Sequence, residues 1–329
     1  MINYPIIQIM GLTASGKTVL AKNICQTLLA KKKVSGIDII CVDSRQIYAD
    51  LPILSGADLD EFGSFKLQKK NQYWQSLKYP LRIFNSCCQP IKTDFSLASF
   101  IKLAEKVILH SIRLDHLVVL LGGSFLYQRR LFDYNSNIFI PPNLILRKKL
   151  ANLTLQQIQN QLLKGSEGVF FQSNIDDLHN RQRLIRYLEV INFKVDHEVK
   201  NDKNKNLSPF SEIKKINLVL SGSNKFLKEK IKLRIQKRLQ QNVIAEVQNV
   251  LIHHDSFDRR KMPIGFEDIE FFLNKQISFD QLQNFWLKKE LEFLRRQIIY
   301  LKKYDQNKLI IVNQDSWLTK AINSVLKYY

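Results

Sequence analysis

The sequence predicts an α/β fold: a P-loop NTPase-like parallel sheet with flanking helices, interrupted by a helical insertion domain. Three observations predict it. A Gly-x-x-x-x-Gly-Lys-Thr run follows directly on an apolar, strand-like stretch, further short runs rich in Ile and Val recur along the chain, and the pattern changes to helical spacing between residues 143 and 195. The first run, Gly11-Leu12-Thr13-Ala14-Ser15-Gly16-Lys17-Thr18, comes after Pro5-Ile6-Ile7-Gln8-Ile9-Met10, which is built like a buried strand. Gly11 and Gly16 let the backbone wrap a phosphate chain with its N–H groups inward. Lys17 adds a point charge, and the Thr18 hydroxyl is placed to ligate Mg²⁺. Helix formers from Thr18 to Leu29 turn the positive end of a helix toward the same anion.

The second strand-like run, Ile37 to Val42, ends at Asp43-Ser44-Arg45-Gln46-Ile47-Tyr48. Ligands in open parallel sheets bind at the carboxyl ends of strands, so Asp43 is expected beside the phosphate cradle, although a helix N-cap would suit it as well. The third run, Leu117 to Leu121, leads into Gly122-Gly123-Ser124-Phe125-Leu126-Tyr127. ATPases usually carry a Walker B acid where these two glycines stand. Residues 135–142 read as a linker, and helical spacing then runs through Leu150, Ile158, Leu162, Leu184, Leu188 and Ile191. Residues 201–211 are polar, Ile216–Leu220 returns to strand character, Lys225–Leu251 reads as one long basic helix, and Lys308–Val312 as a last strand. The expected organisation is a first part of the core over 1–134, a helical insertion over 135–200, and a return to the core with basic helices over 201–329.

Composition narrows the function classes. A net charge of +20, from 50 Lys and Arg against 30 Asp and Glu, points to a polyanionic partner. The excess gathers in the second half, at Arg181–Arg186, Lys200–Lys215, Lys225–Arg238, Arg259–Lys261 and Lys288–Lys303, where each cluster alone could be a solvated helix face. Cys25, Cys41, Cys87 and Cys88 lack metal-ligand spacing, and His253-His254-Asp255 reads as a helix end. No leader-like start or membrane-length apolar run is present, so the expected location is the cytoplasm.

The order of motifs resembles the tRNA dimethylallyltransferase family, also called tRNA isopentenyltransferases. Gly11, Thr13, Ala14, Gly16, Lys17 and Thr18 match its loop; Val42, Asp43, Ser44, Gln46 and Tyr48 match its Val-Asp-Ser-x-Gln-x-Tyr block; Gly122, Gly123, Ser124, Leu126 and Tyr127 match the next. Gln182, Arg183, Arg186, Leu188, Glu189 and Val190 follow its Gln-Arg-x-x-Arg-x-Leu-Glu-Val pattern, and Ile264-Gly265-Phe266 and Arg296-Gln297 its last two blocks. The resemblance spans roughly residues 5 to 303. The chain departs from the pattern at Leu54-Ser55-Gly56-Ala57-Asp58, at Ile299-Tyr300-Leu301-Lys302, and at Met262, where an Arg is common.

The resemblance implies transfer of a dimethylallyl group from its diphosphate to N6 of the adenosine 3′ of the anticodon. It implies a diphosphate on residues 11–18 with Lys17, Thr18 and Mg²⁺ facing the leaving group, and Asp43 as the general base. Contacts to an extruded base and the tRNA anticodon stem-loop are then expected from Asp43, Ser44, Arg45, Gln46, Ser124, Arg147, and the stretch Gln182, Arg183, Leu184, Ile185 and Arg186. Tyr48 and Tyr127 are candidates for prenyl-pocket walls or for core packing, and the expected state is a monomer. Two other classes remain open on sequence: a P-loop kinase of a nucleoside or small metabolite, and a non-catalytic NTP-dependent RNA-binding protein.

Overall fold

The structure, a computed structural model, describes residues 4–165, 175–197, 207–302 and 309–329. Its centre is an eight-stranded sheet of β1 (Ile6–Gly11), β2 (Gly36–Cys41), β3 (Phe65–Gln68), β4 (Tyr73–Ser76), β5 (Leu81–Phe84), β6 (His116–Gly122), β7 (Lys215–Ser221) and β8 (Leu309–Ile311), in the order β3-β4-β5-β2-β6-β1-β7-β8. All neighbours from β5 to β8 pair in parallel, while β3 and β4 are antiparallel additions at one edge. β1 and β2 are buried along their whole length, as strands covered on both faces must be. Of the last expected strand, Lys308 lies outside the described residues, as do residues 201–206 of the expected polar segment and residues 200 and 303 of the basic clusters.

Crossover connections give this sheet its site. The chain runs from β1 through α1 (Lys17–Ala30) to β2, skipping one position that β6 later fills from α3 (Leu97–Arg113), with the short α2 (Pro52–Ser55) between. The carboxyl ends of β1, β6 and β2 therefore stand side by side: Met10 lies opposite Gly122, and Cys41 opposite Leu121. The phosphate loop, the two glycines and Asp43 follow directly on those ends.

The edge strands β3 to β5 are absent from the sequence reading because charge disguises them. Lys66 interrupts the first, Lys69 and Lys70 sit in the turn, and Arg82 falls inside the short β5. Arg82 is tolerated there because Asp38 of β2 faces it. Arg82 Nε donates to Asp38 Oδ1 at 2.6 Å, Ser111 Oγ donates to Oδ2 at 2.7 Å, and His116 approaches to 3.3 Å. Asp38 is fully buried; burial pushes its carboxyl up, but the bonds from His116, Arg82 and Ser111 outweigh this and hold it below the usual range. Its stabilising contribution is thus present above the ordinary carboxylate pKa and is lost as pH falls through the lowered value. Arg82→Leu strands this carboxylate and is expected to cost about 3–5 kcal/mol in urea unfolding at neutral pH. A loss under 1 kcal/mol would show that Asp38 does not depend on Arg82.

The chain divides into two compact units, residues 1–132 with 212–329, and residues 133–211. The second holds α5 (Leu144–Leu150), α6 (Leu155–Gly165), α7 (Ile175–Leu178) and α8 (Arg181–Asp196) after the first unit's α4 (Phe125–Phe132). Leu150, Ile158, Leu162, Leu184 and Leu188 form its core, the positions that the helical spacing picks out. The first unit continues with α9 (Asn224–Gln240), α10 (Val243–His253), α11 (Phe266–Leu273), α12 (Phe279–Leu301) and α13 (Trp317–Leu326). The single helix expected over 225–251 is in fact two, broken where Asn242 takes a left-handed φ of 70° that Asn accepts more readily than most residues. α10 ends at His253, so the His-His-Asp run is a helix end. No described helix is long and apolar enough to cross a membrane.

Candidate active site

A cavity of about 520 Å³ opens at the carboxyl ends of β1, β6 and β2. Its polar lining begins at the phosphate loop. Lys17 Nζ folds back to donate to the carbonyls of Leu12 at 2.7 Å and Gly11 at 3.2 Å, which holds the cation over its own loop. Burial, helped by the Arg234 charge, brings Lys17 down to about 8, and Asp43 opposes the fall. Gly11 is required by its neighbour: a Cβ there would lie 2.6 Å from the Leu220 carbonyl oxygen of β7.

Asp43 faces the same cavity. Its Oδ1 accepts the Arg45 backbone N–H at 2.8 Å, forming a local turn that fixes the carboxylate. Burial raises its pKa, against the Arg45 N–H, the Arg45 charge and Lys17. A carboxylate so placed remains an effective proton acceptor, because desolvation makes it more basic.

Three residues from the C-terminal helices add to the polar lining. Gln297 accepts the Thr13 N–H at 2.7 Å and donates to the Gly123 carbonyl at 3.3 Å, so one amide links the phosphate loop to the end of β6. Arg234 donates to Thr13 Oγ1 at 2.8 Å and to Glu290 at 2.9 Å. The buried stripe of α12 explains how they arrive: Leu282, Trp286, Glu290, Leu294, Gln297 and Leu301 share one face, and its two polar members point to the site. Ser278 and Gln281 start that helix with a reciprocal capping box.

The cavity also has an apolar lining. Ile39, Leu54, Leu59, Phe62, Ile83, Leu121 and Phe293 line it. The segment bearing Leu54 is anchored by Glu246, which accepts the backbone N–H groups of Ile53 at 2.7 Å and Leu54 at 2.8 Å. Gln46 holds the same segment by donating to the Gly56 carbonyl at 2.9 Å.

The structure thus gathers Thr13, Lys17, Thr18, Asp43, Ser44, Arg45, Gln46 and Ser124 around one cavity. Tyr48 is buried in the core and Tyr127 packs on Phe100 with its hydroxyl near Ser44, so core packing, and not a cavity wall, is the role of both. Arg147 and Gln182–Arg186 lie in the second unit. There Glu189, buried, accepts from Arg147 Nε at 2.6 Å, from Arg186 at 3.2 Å and from the Asn143 N–H at 2.9 Å, while Arg186 also donates to the carbonyls of Asn137 and Ile140. Arg183 pairs with Asp177, and Gln182 is exposed. Leu184 is corrected: it is 0 % exposed and fills the unit's core, so its side chain is not a contact surface; Ile185 packs against the same core. Sequence reasoning missed Arg234, Arg238 and Glu290, because the runs Lys225–Arg238 and Lys288–Lys303 that contain them read as solvated faces. The available signal was register: Leu227, Ile231, Ile235 and Arg238 are the buried positions of α9.

Comparison with known proteins supports the same reading. A family model described as IPP transferase matches residues 82–304. The chain is 25 % identical to "tRNA dimethylallyltransferase 2" of Treponema denticola, covering 95 % of both chains. It is also 25 % identical to "tRNA dimethylallyltransferase" of Clostridioides difficile, over 98 % of this chain and 97 % of that one. Among solved structures, a eukaryotic dimethylallyltransferase described as acting on tRNA superposes with a TM-score of 0.72 at 18 % identity, covering 98 % of this chain and 77 % of its own. The full-length tRNA isopentenylpyrophosphate transferase of Bacillus halodurans gives 0.65 at 17 %, over 99 % and 96 %.

Proposed function

We propose a function on the premise that the chain belongs to the IPP transferase family: it transfers a dimethylallyl group from dimethylallyl diphosphate to N6 of the adenosine 3′ of a tRNA anticodon, releasing diphosphate. The observation that carries this is a single cavity lined both by Asp43 with Lys17, Thr18 and Arg234 and by apolar side chains. A diphosphate binds a nest of amides beside Lys17 and Arg234, and a five-carbon chain suits the apolar part of the lining.

Bond breaking leaves negative charge on diphosphate, which Lys17, Arg234 and the loop amides stabilise as it develops. Ser15 Oγ and Arg234 Nε are buried beside the loop without a protein partner, as expected of groups that await an anion. Mg²⁺ fits as an ion carried by the diphosphate, with Thr18 the protein oxygen that would hold it; when bound it supplies further charge neutralisation on the leaving group. Adenine N6 must lose a proton as its new bond forms, and Asp43 accepts it. The acceptor base reaches this site by leaving the anticodon stack. The insertion domain expected over residues 135–200 falls within the compact unit 133–211; its exposed Gln182 and Arg183 contact tRNA, and a monomer in the cytoplasm meets its substrates there.

Mass spectrometry of nucleosides from tRNA incubated with the protein and dimethylallyl diphosphate tests the proposal. N6-dimethylallyladenosine is the expected product; phosphate transfer from ATP in its place would mean a kinase. The pH dependence has two expected limbs. Asp43 acts ionised and its pKa is raised, so kcat/KM for tRNA falls with acid at a pH above the ordinary carboxylate value. Lys17, lowered to about 8, loses its charge above that value, so affinity for inorganic pyrophosphate weakens as pH rises through about 8. Calorimetric titration with pyrophosphate at a series of pH values checks the second limb.

A further inference from the structure

A buried charge on the cavity wall is left without a task by this chemistry. Arg238 lies one turn beyond Arg234 on α9, is only 6 % exposed, and lines the cavity. Its ion pair is with Glu290, at 3.6 Å, and that same carboxylate makes the shorter 2.9 Å bond to Arg234. Asp58 and Glu246 attract it from farther off, yet among the described residues its guanidinium makes no hydrogen bond. Gly56 packs against it so closely that a Cβ there would stand 2.1 Å from Nη2.

A buried guanidinium that braces a fold does so through its fork of five donors, as Arg82 does with Asp38 and Arg186 with two carbonyls and Glu189. Arg238 does none of this. The two guanidinia share the Glu290 carboxylate, and its shorter bond goes to Arg234, so Arg238 keeps its donors open at the cavity wall. A buried cation with open donors is costly unless an acceptor arrives to meet it. Residues four apart on a helix present neighbouring side chains, so Arg234 and Arg238 can reach one small polyanion together.

We propose that Arg238 is a second arginine arm for the donor's diphosphate, with Glu290 the counter-charge that holds both guanidinia until that anion binds. The proposal rests on the prenyl-transfer reading for the identity of the anion. It also gives a physical meaning to the departure at Leu54–Asp58: bare Gly56 is what leaves room for the guanidinium.

The probe is inorganic pyrophosphate, titrated calorimetrically into the full chain and followed by thermal unfolding. Arg238→Met keeps an unbranched side chain of similar reach and removes the charge. It is expected to unfold at the wild-type temperature or above without pyrophosphate, yet to bind pyrophosphate about 10- to 100-fold more weakly, the worth of a charge-assisted hydrogen bond. KM for the donor should rise in parallel. A folded Arg238→Met protein with wild-type pyrophosphate affinity overturns the proposal. If Arg238→Met does not fold, Arg238→Lys decides: several-fold weaker binding supports contact with the anion, and unchanged binding refutes it. Failure of both variants to fold assigns the residue to the scaffold and also refutes it. Wild-type protein that binds pyrophosphate but prenylates no tRNA sinks the functional reading and leaves the anion arm standing.

Discussion

Asp43→Ala is expected to slow prenyl transfer by about 10²- to 10⁴-fold, the usual contribution of a general base. The effect belongs to the chemical step, so single-turnover rates at saturating donor and tRNA should carry the loss while pyrophosphate affinity stays near wild type. Asp43 has a second duty, because its Oδ1 accepts the Arg45 N–H and shapes the turn after β2. Asp43→Asn separates the two: an amide oxygen can still accept that N–H, but the amide cannot take up a proton at neutral pH. The asparagine variant should therefore keep the wild-type melting temperature and still lose most of the rate. Full turnover in either variant removes Asp43 from the mechanism. A loss in Asp43→Ala alone, repaired in Asp43→Asn, would reassign it to holding the turn.

How much of this site was legible in the sequence depends on whether a residue's role is local. The phosphate loop, Asp43 and the two glycines sit at strand ends, and strand ends in a parallel sheet gather at one edge once the strands themselves are recognised. β1, β2, β6 and β7 are recognisable because their apolar runs are uninterrupted or nearly so. β5 is not, because Arg82 resembles a surface residue until Asp38 is seen across from it. Glu290 is harder still, and so is Gln297 apart from its match to a family block. Their positions follow from the rotation of a 23-residue helix against the sheet, and in isolation they are two polar residues among many in α12. What betrays them is that they interrupt an otherwise apolar stripe, where a polar side chain needs a partner. Arg238 interrupts the stripe of α9 in the same way. The break at Asn242 follows another logic, since a left-handed residue can end a helix whose pattern would otherwise continue.

Gly122→Ala is expected to be nearly as damaging as loss of the base, for a reason that also accounts for the missing acid at the end of β6. A Cβ on Gly122 would stand 2.2 Å from the Val42 carbonyl oxygen and 2.6 Å from its carbon, and both are backbone atoms that cannot rotate aside. Val42 is bound to this very turn: its N–H donates to the Leu121 carbonyl at 2.7 Å and its carbonyl accepts the Ser124 N–H at 3.3 Å. To admit a methyl group, the segment leading into Asp43 must move away by about 1 Å, a displacement that can cost roughly 10²-fold in rate. Overpacking of this kind adds about 1–3 kcal/mol of destabilisation. The neighbouring glycine supplies the control. At Gly123 the nearest obstacle is the Gln297 side-chain amide, 2.9 Å away and able to shift, so Gly123→Ala should lose far less in both measures. Single-turnover rates and thermal midpoints of the two variants test the contrast, and equal effects would defeat it. The same geometry leaves no room for any β-carbon at 122, so a carboxylate cannot occupy the place a Walker B acid takes in ATPases. The backbone of the β2 turn fills that place, and it brings the acid with it one strand over, as Asp43.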